Sequence, residues 1–166
     1  MKIEKRHKQI HLSEGFTLIE LLIIIAIMGI LLAIATPPFL QWRQNLQYKE
    51  AADGLVAALR TARNSAISLN RQNRVEFKPS TAGHRITQGN RAYDSTTWTT
   101  VKQDWSTAPV GVQMNTGGAC NGTSDVNVPF SPNGTASAET ICIGKTASPI
   151  YKIVVAASGR IQSIRQ

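Results

Sequence analysis

From Phe16 to Thr36 the chain carries 21 residues that are apolar or small, broken by one carboxylate, Glu20. A run of roughly 20 such residues is long enough, as a helix, to cross the hydrocarbon core of a bilayer. The run therefore predicts a transmembrane helix. Pro37 and Pro38 follow it, and because proline lacks a backbone donor, a kink or interruption is expected there. From about residue 39 to 70 the pattern becomes two-sided. Tyr48, Ala52, Leu55, Leu59, Ala62, Ala66 and Leu69 recur at steps of three and four, and Glu50, Asp53, Arg60, Asn64, Ser68 and Arg71 fall opposite them. That spacing predicts an amphipathic helix whose Leu/Ala stripe packs against a sheet. Gly54 within it weakens helix propensity and marks a candidate close contact.

Beyond Arg71 the periodicity shortens to that of strands. Arg74–Lys78 alternates and stops at Pro79; Arg85–Thr87 closes at Gly89-Asn90; Thr97–Val101 and Val110–Met114 follow. Val126–Phe130 runs into the turn-rich Ser131-Pro132-Asn133-Gly134, and then come Ile141–Ile143 and Tyr151–Ala156, with Gly159 as a break before the final residues 160–166. A run of strands after one helix predicts an α+β protein with an antiparallel sheet. Asn121-Gly122-Thr123 and Asn133-Gly134-Thr135 match the glycosylation sequon, but Asn-Gly is first a turn signal and both are read as turns. Trp98 and Trp105 lie in polar surroundings; at least one is expected in the core, with a subunit contact as the alternative.

Glu20 changes the meaning of the first helix. A carboxylate in a membrane span costs on the order of 2.5–3.5 kcal/mol on insertion scales, so either Glu20 reaches water at the interface or it has a task. The sequence Gly15-Phe16-Thr17-Leu18-Ile19-Glu20 ahead of the long apolar run resembles the class III signal of type IV prepilins and type II secretion pseudopilins. The resemblance implies cleavage after Gly15 by a prepilin peptidase and N-methylation of Phe16. It also implies retention of the apolar helix, unlike an ordinary secretory signal. It gives Glu20 a role in subunit assembly, pairing with the Phe16 amine of a neighbouring subunit in apolar surroundings. The proline after the run fits the same pattern.

The expected organisation is a leader over 1–15, the transmembrane half of the helix over 16–36, its amphipathic half over 37–71 and a periplasmic β-rich domain over 72–166. This is the type IV pilin fold, a long N-terminal helix packed on an antiparallel sheet. Lys2, Lys5, Arg6 and Lys8 in the leader outnumber Glu4 and Glu14, which places the N-terminus in the cytoplasm and the domain across the bacterial inner membrane. Removing the leader leaves 151 residues and a net charge of +6, a balance that attracts polyanions, membrane surfaces or acidic proteins without choosing among them. Cys120 and Cys142 both fall in the exported part, where an even pair reads as a disulfide. With His84 the only histidine left after cleavage, neither a metal site nor a histidine-based nucleophile arrangement is expected, and no cofactor motif is present. An enzyme is the disfavoured class.

The C-terminal half resembles the GspH/FimT-type minor pilins and pseudopilins through Phe130-Ser131-Pro132-Asn133-Gly134 and Gly159-Arg160. The first expectation from that resemblance is a minor pilin supporting pilus initiation or the tip, with other pilin subunits and the inner membrane as partners. An equivalent type II secretion pseudopilin is the alternative within the class. A third reading is a receptor for double-stranded DNA, because some FimT-type pilins bind it through a C-terminal Gly-Arg-x-Arg. Here the second arginine is Gln162 and the next is Arg165, so the candidate residues are Arg160, Arg165, Lys152 and Lys145. In an extended tail Arg160 and Arg165 point to opposite faces, their separation being odd. Solubilising surface charge is the alternative for them, as it is for Arg60, Arg63, Arg71 and Arg74.

Overall fold

The computed structural model describes residues 16–101, 105–145 and 148–166; the expected leader 1–15, with Gly15, lies outside them. The chain divides into two compact units after Gln41. In the first, helix α1 (Leu18–Leu69) begins. Thr17 Oγ1 accepts from the Glu20 amide at 3.2 Å, satisfying one of the donors that a helix start leaves open. The apolar side chains of this unit from Leu18 to Ile34 are exposed, and this part of the helix is long and apolar enough to cross a membrane. Helical structure runs through positions 37 and 38, so of the kink or interruption expected at the prolines the interruption does not occur.

The second unit, Trp42–Gln166, holds the rest of α1 and two antiparallel sheets in place of the single sheet expected. Strands β1 (Asn73–Lys78), β2 (Gly83–Gly89), β3 (Trp98–Thr100) and β6 (Val126–Phe130) run in the order β3-β2-β1-β6, with the short β4 (Ser106–Thr107) also pairing β2. Strands β5 (Gln113–Thr116), β7 (Glu139–Lys145), β8 (Ser148–Val155) and β9 (Ile161–Arg165) form the second sheet in the order β5-β7-β8-β9. Pro79, lacking the donor a ladder needs, ends β1 and opens a short 3-10 turn over Pro79–Thr81.

One core joins these layers. Leu55, Leu59, Ala62 and Ala66 of α1 meet Val75 and Phe77 of β1, Val128 and Phe130 of β6, Ile141 and Ile143 of β7, and Ile153 and Val155 of β8. The buried stripe of α1 places the larger Leu55, Val56 and Leu59 in its middle, with Ala52 before them and Ala62 and Ala66 after. The stripe ends one turn early: Leu69, expected in it, is 55% exposed. The segment expected as a strand from Val110 begins only at Gln113. Gly111 has φ +90 and turns the chain, leaving Val110 almost wholly in solvent. Gly54 has open space where a side chain would sit, so it marks no close contact within the chain. Cys120 and Cys142 are joined, with Cα atoms 5.6 Å apart, tying the loop after β5 to β7.

Candidate functional site

Two surfaces of the second unit concentrate charge. The first lies on the outer face of the β3-β2-β1 ladder. Glu76 stands opposite Arg85 in the β1–β2 register, with Arg74 opposite Thr87 two residues away, so all four side chains share one face. Glu76 accepts hydrogen bonds from Arg74, Arg85 and Thr87; the Arg74 Nε contact is 2.9 Å and the Thr87 Oγ1 contact 3.2 Å. Burial favours the neutral acid here, but the hydrogen bonds and charges of Arg85 and Arg74 outweigh it and hold the Glu76 carboxyl below its ordinary value of 4.5.

Each arginine is capped by an indole. The Arg74 guanidinium lies 4.1 Å from the centroid of Trp98 and that of Arg85 4.5 Å from that of Trp105, inside cation–π range. Lys78 Nζ approaches Trp105 at 6.0 Å. Neither tryptophan belongs to the core, contrary to expectation. Arg74 is likewise no plain solvated charge. The alternation of β1 pointed to a shared face, but pairing across β2 was needed to put Arg85 on Glu76.

The second surface forms where α1 meets the two glycine turns. Ser131–Thr135 folds back on itself through Ser131 N–H to Thr135 O at 2.9 Å and Gly134 N–H to Ser131 O at 2.8 Å. Asn133 Oδ1 accepts from both the amide and the hydroxyl of Thr135, at 3.1 and 2.7 Å, which is the side-chain turn that Asn supports. The β8–β9 turn closes with Gly159 N–H to Ala156 O at 2.8 Å. Both Gly134 (φ +80) and Gly159 (φ +76) occupy the left-handed region. A side chain on Gly159 would overlap the Gly134 carbonyl oxygen. Arg63 Nε donates to that same oxygen at 3.1 Å across 71 positions of sequence. The two short motifs of the C-terminal half are thus one structural feature, locked by an arginine of α1 that the sequence reading assigned to solvent.

Around this lock, Arg60, Arg63, Asn64, Ser158, Arg160 and Ile161 line a polar depression of about 550 Å³. Among the described residues Arg60, Arg63 and Arg160 have no ion pair; the two salt bridges found both involve Glu76. The four residues expected to act together on DNA are not gathered here. Arg165 pairs with Tyr151, and Ile164 with Lys152, so Arg165 and Lys152 project from opposite faces of the sheet. Arg160 lies at the other end of β9 from Arg165, five residues and roughly 16 Å away at strand rise, and Lys145 sits at the end of β7 opposite Ser148. Arg160 keeps company with the α1 arginines instead.

At the other end of the chain Phe16 and Glu20 are exposed, Glu20 in the first turn of α1.

A helix apolar enough to span a membrane is followed in the same chain by a domain of two antiparallel sheets with a disulfide-tied loop, a single-helix α+β architecture. Residues 11–36 match the prokaryotic N-terminal methylation motif, and residues 51–159 match the family described as type II transport protein GspH. The chain belongs to that family. Its fold is shared with the type IV minor pilin FimU of Pseudomonas aeruginosa, at TM-score 0.54 and 18% identity, over 73% of this chain and 90% of that one. It is shared also with the minor pseudopilin EpsH of the Vibrio cholerae type 2 secretion system, at TM-score 0.57 and 15% identity, over 72% of this chain and 97% of that one. In sequence the chain is 48% identical over 64 residues to a fimbrial protein of Moraxella nonliquefaciens, which is 37% of this chain and 36% of the relative. It is 50% identical over 55 residues to a fimbrial protein of Pseudomonas aeruginosa, 33% of this chain and 35% of the relative. The chain thus matches about a third of the length of these curated relatives.

Proposed function

We propose that this protein is a minor pilin, a structural subunit that supports assembly or the tip of a type IV pilus. The observation that carries the reading is the junction of the methylation motif and apolar helix with a GspH-type domain in one chain. On this reading the prepilin peptidase cuts after Gly15 and Phe16 becomes the methylated N-terminus. The basic leader keeps the N-terminus cytoplasmic, and the domain is held in the periplasm by a single span of the bacterial inner membrane. Glu20 pairs with the terminal amine of an adjoining subunit as the apolar helices leave the lipid for the filament core, where an unpaired carboxylate is costly and a paired one specifies position. The mechanism is assembly, with no reaction catalysed.

The equivalent role in a type II secretion pseudopilus is the alternative supported by the fold shared with EpsH. The test is mass spectrometry of the chain recovered from membranes and from sheared surface filaments. N-methylated Phe16 in both fractions is expected; an intact leader, or absence from every filament fraction, overturns the reading. Recovery only with a secretion pseudopilus decides for the alternative. A DNA-binding role through Arg160, Arg165, Lys152 and Lys145 has less support, since those side chains share no single surface. A mobility shift at several salt concentrations, unchanged by Arg160→Gln with Arg165→Gln, would remove it.

A further inference from the structure

Strand β9 stands at one edge of the sheet β5-β7-β8-β9, with β8 on one side and no strand on the other. Which of its backbone groups face outward follows from the ladder. Ala156 N–H donates to Arg160 O and Gln166 N–H to Ile150 O, both at 2.9 Å, one bond at each end of the β8–β9 register. Hydrogen-bonded pairs alternate along an antiparallel ladder, so Gln162 and Ile164 bond to β8. The N–H and C=O of Ile161, Ser163 and Arg165 therefore point away from the sheet, and among the described residues no backbone bond reaches them.

The other edges are short or covered. β3 and β4 have three and two residues. Phe130 of β6 bridges Ala136, and the Pro129 carbonyl beside it accepts from Ser137 N–H; Thr116 of β5 bridges Gly122. β9 carries none of the devices that spoil an edge as a template, since it has no proline and its register with β8 is unshifted. Ile164 is 44% exposed on it.

The side chains along the edge set the chemistry of what can pair there. Ile161, Ser163 and Arg165 stand opposite Val155, Ile153 and Tyr151, so they share the sheet face on which Val155 and Ile153 enter the core. A residue added beside each of them would lie on that same face. Beside Ile161 is the arginine depression, where Arg60 and Arg160 are exposed and have no ion pair among the described residues. At the far end of the strand Arg165 is exposed as well.

We propose that the β9 edge is a strand-addition site for an extended acidic segment of a partner protein. The segment pairs antiparallel with β9 as a fifth strand of this sheet and carries two acidic residues four positions apart, a span of roughly 13 Å. One carboxylate lies beside Ile161 and meets Arg60 and Arg160; the other lies beside Arg165. The outward main-chain groups supply affinity whatever the partner's sequence, and the arginines supply the choice among partners. A second copy of this chain is the wrong occupant. Antiparallel pairing of β9 with itself about Ser163 would set Arg165 of each copy beside Ile161, and so beside the arginine depression, of the other, where like charges repel.

The test titrates the full-length chain in detergent micelles with a short labelled peptide of alternating threonine and valine bearing glutamates four positions apart. Saturable binding is expected, with slowed amide exchange over residues 160–166. A peptide with lysines in place of the glutamates, or Arg60→Glu with Arg160→Glu in the chain, should weaken binding about fivefold, the scale of exposed ion pairs. Ser163→Pro removes an outward donor and no bond to β8, so the unfolding midpoint should hold while binding falls about tenfold. A glutamate peptide N-methylated at the residue facing Ser163 makes the same cut from the other side and leaves the chain native. Absence of saturable binding, equal binding of the glutamate and lysine peptides, or binding indifferent to the N-methyl group overturns the proposal. So does retention of duplex DNA that depends on Arg60 and Arg160 in a chain that ignores the peptide, which would assign those arginines to nucleic acid.

Discussion

Gly159→Ala tests the lock between α1 and the two glycine turns most directly. Its backbone, at φ +76, lies where an L side chain costs about 1–2 kcal/mol. The new methyl would also meet the Gly134 carbonyl oxygen and Arg63 Nε. The turn must then shift far enough to break the 3.1 Å bond from Arg63, a charge-assisted contact worth about 1.5–3 kcal/mol when part-buried. The sum is about 2.5–5 kcal/mol, and a loss of this size in a domain of this length lowers the unfolding midpoint by roughly 10–20 °C. The assay is thermal unfolding of the detergent-solubilised full chain, followed through the near-ultraviolet signal of its tryptophans. Gly111→Ala is the internal standard, because φ is +90 there but nothing lies near the added methyl; it should cost the strain alone, about 1–2 kcal/mol. Arg63→Ala should cost about 1.5–3 kcal/mol, and little more when added to Gly159→Ala, since both break one contact. If Gly159→Ala cost no more than Gly111→Ala, or if the double variant were additive, the lock would not exist as described.

Reduction of the Cys120–Cys142 bond, which closes a loop of 22 residues' separation, should lower stability by about 3 kcal/mol in urea titrations with and without reductant; alkylation before reduction should find no free thiol. Glu76 has its folded value depressed. Its stabilising contribution is therefore complete above the unfolded value of about 4.5 and is lost as the pH falls through the lower folded value. The unfolding midpoint should drop across that acid range in the native chain, and by less in Glu76→Gln, which starts lower at neutral pH. Burial lowers the His84 value below 6.5, so unfolding takes up a proton there as well, and His84→Gln should remove the part of the decline that begins near pH 6.5. Leu59→Ala, emptying a fully buried site, should cost about 2–5 kcal/mol, and Leu69→Ala, at the exposed end of α1, less than about 0.5 kcal/mol.

What could be read in the sequence was what local pattern dictates. The apolar run with its single acid, the Leu/Ala stripe and the alternation of β1 each follow from the period of one element, and period is a local property. The glycine-bearing turns were visible for the same reason, since Asn-Gly and a lone Gly satisfy backbone demands within a few residues. Even there the ends were set by the fold: Leu69 had the right spacing but lies exposed at the end of α1, and Val110 alternated properly yet belonged to a turn. Two sheets instead of one also lay beyond local pattern, because strand partners are chosen by packing across the core.

The charged sites were decided by the tertiary structure alone. Nothing within a few residues of Arg63 marks it as the ligand of a carbonyl 71 positions away, and nothing near Trp98 or Trp105 marks either as the cap of an arginine on β1 or β2. Arg160 changed company in the same way, moving from the tail residues beside it in sequence to Arg60 on the helix. Hydrophobic burial is written into composition and spacing, whereas the use of a charge depends on which groups the fold brings within a few ångströms of it.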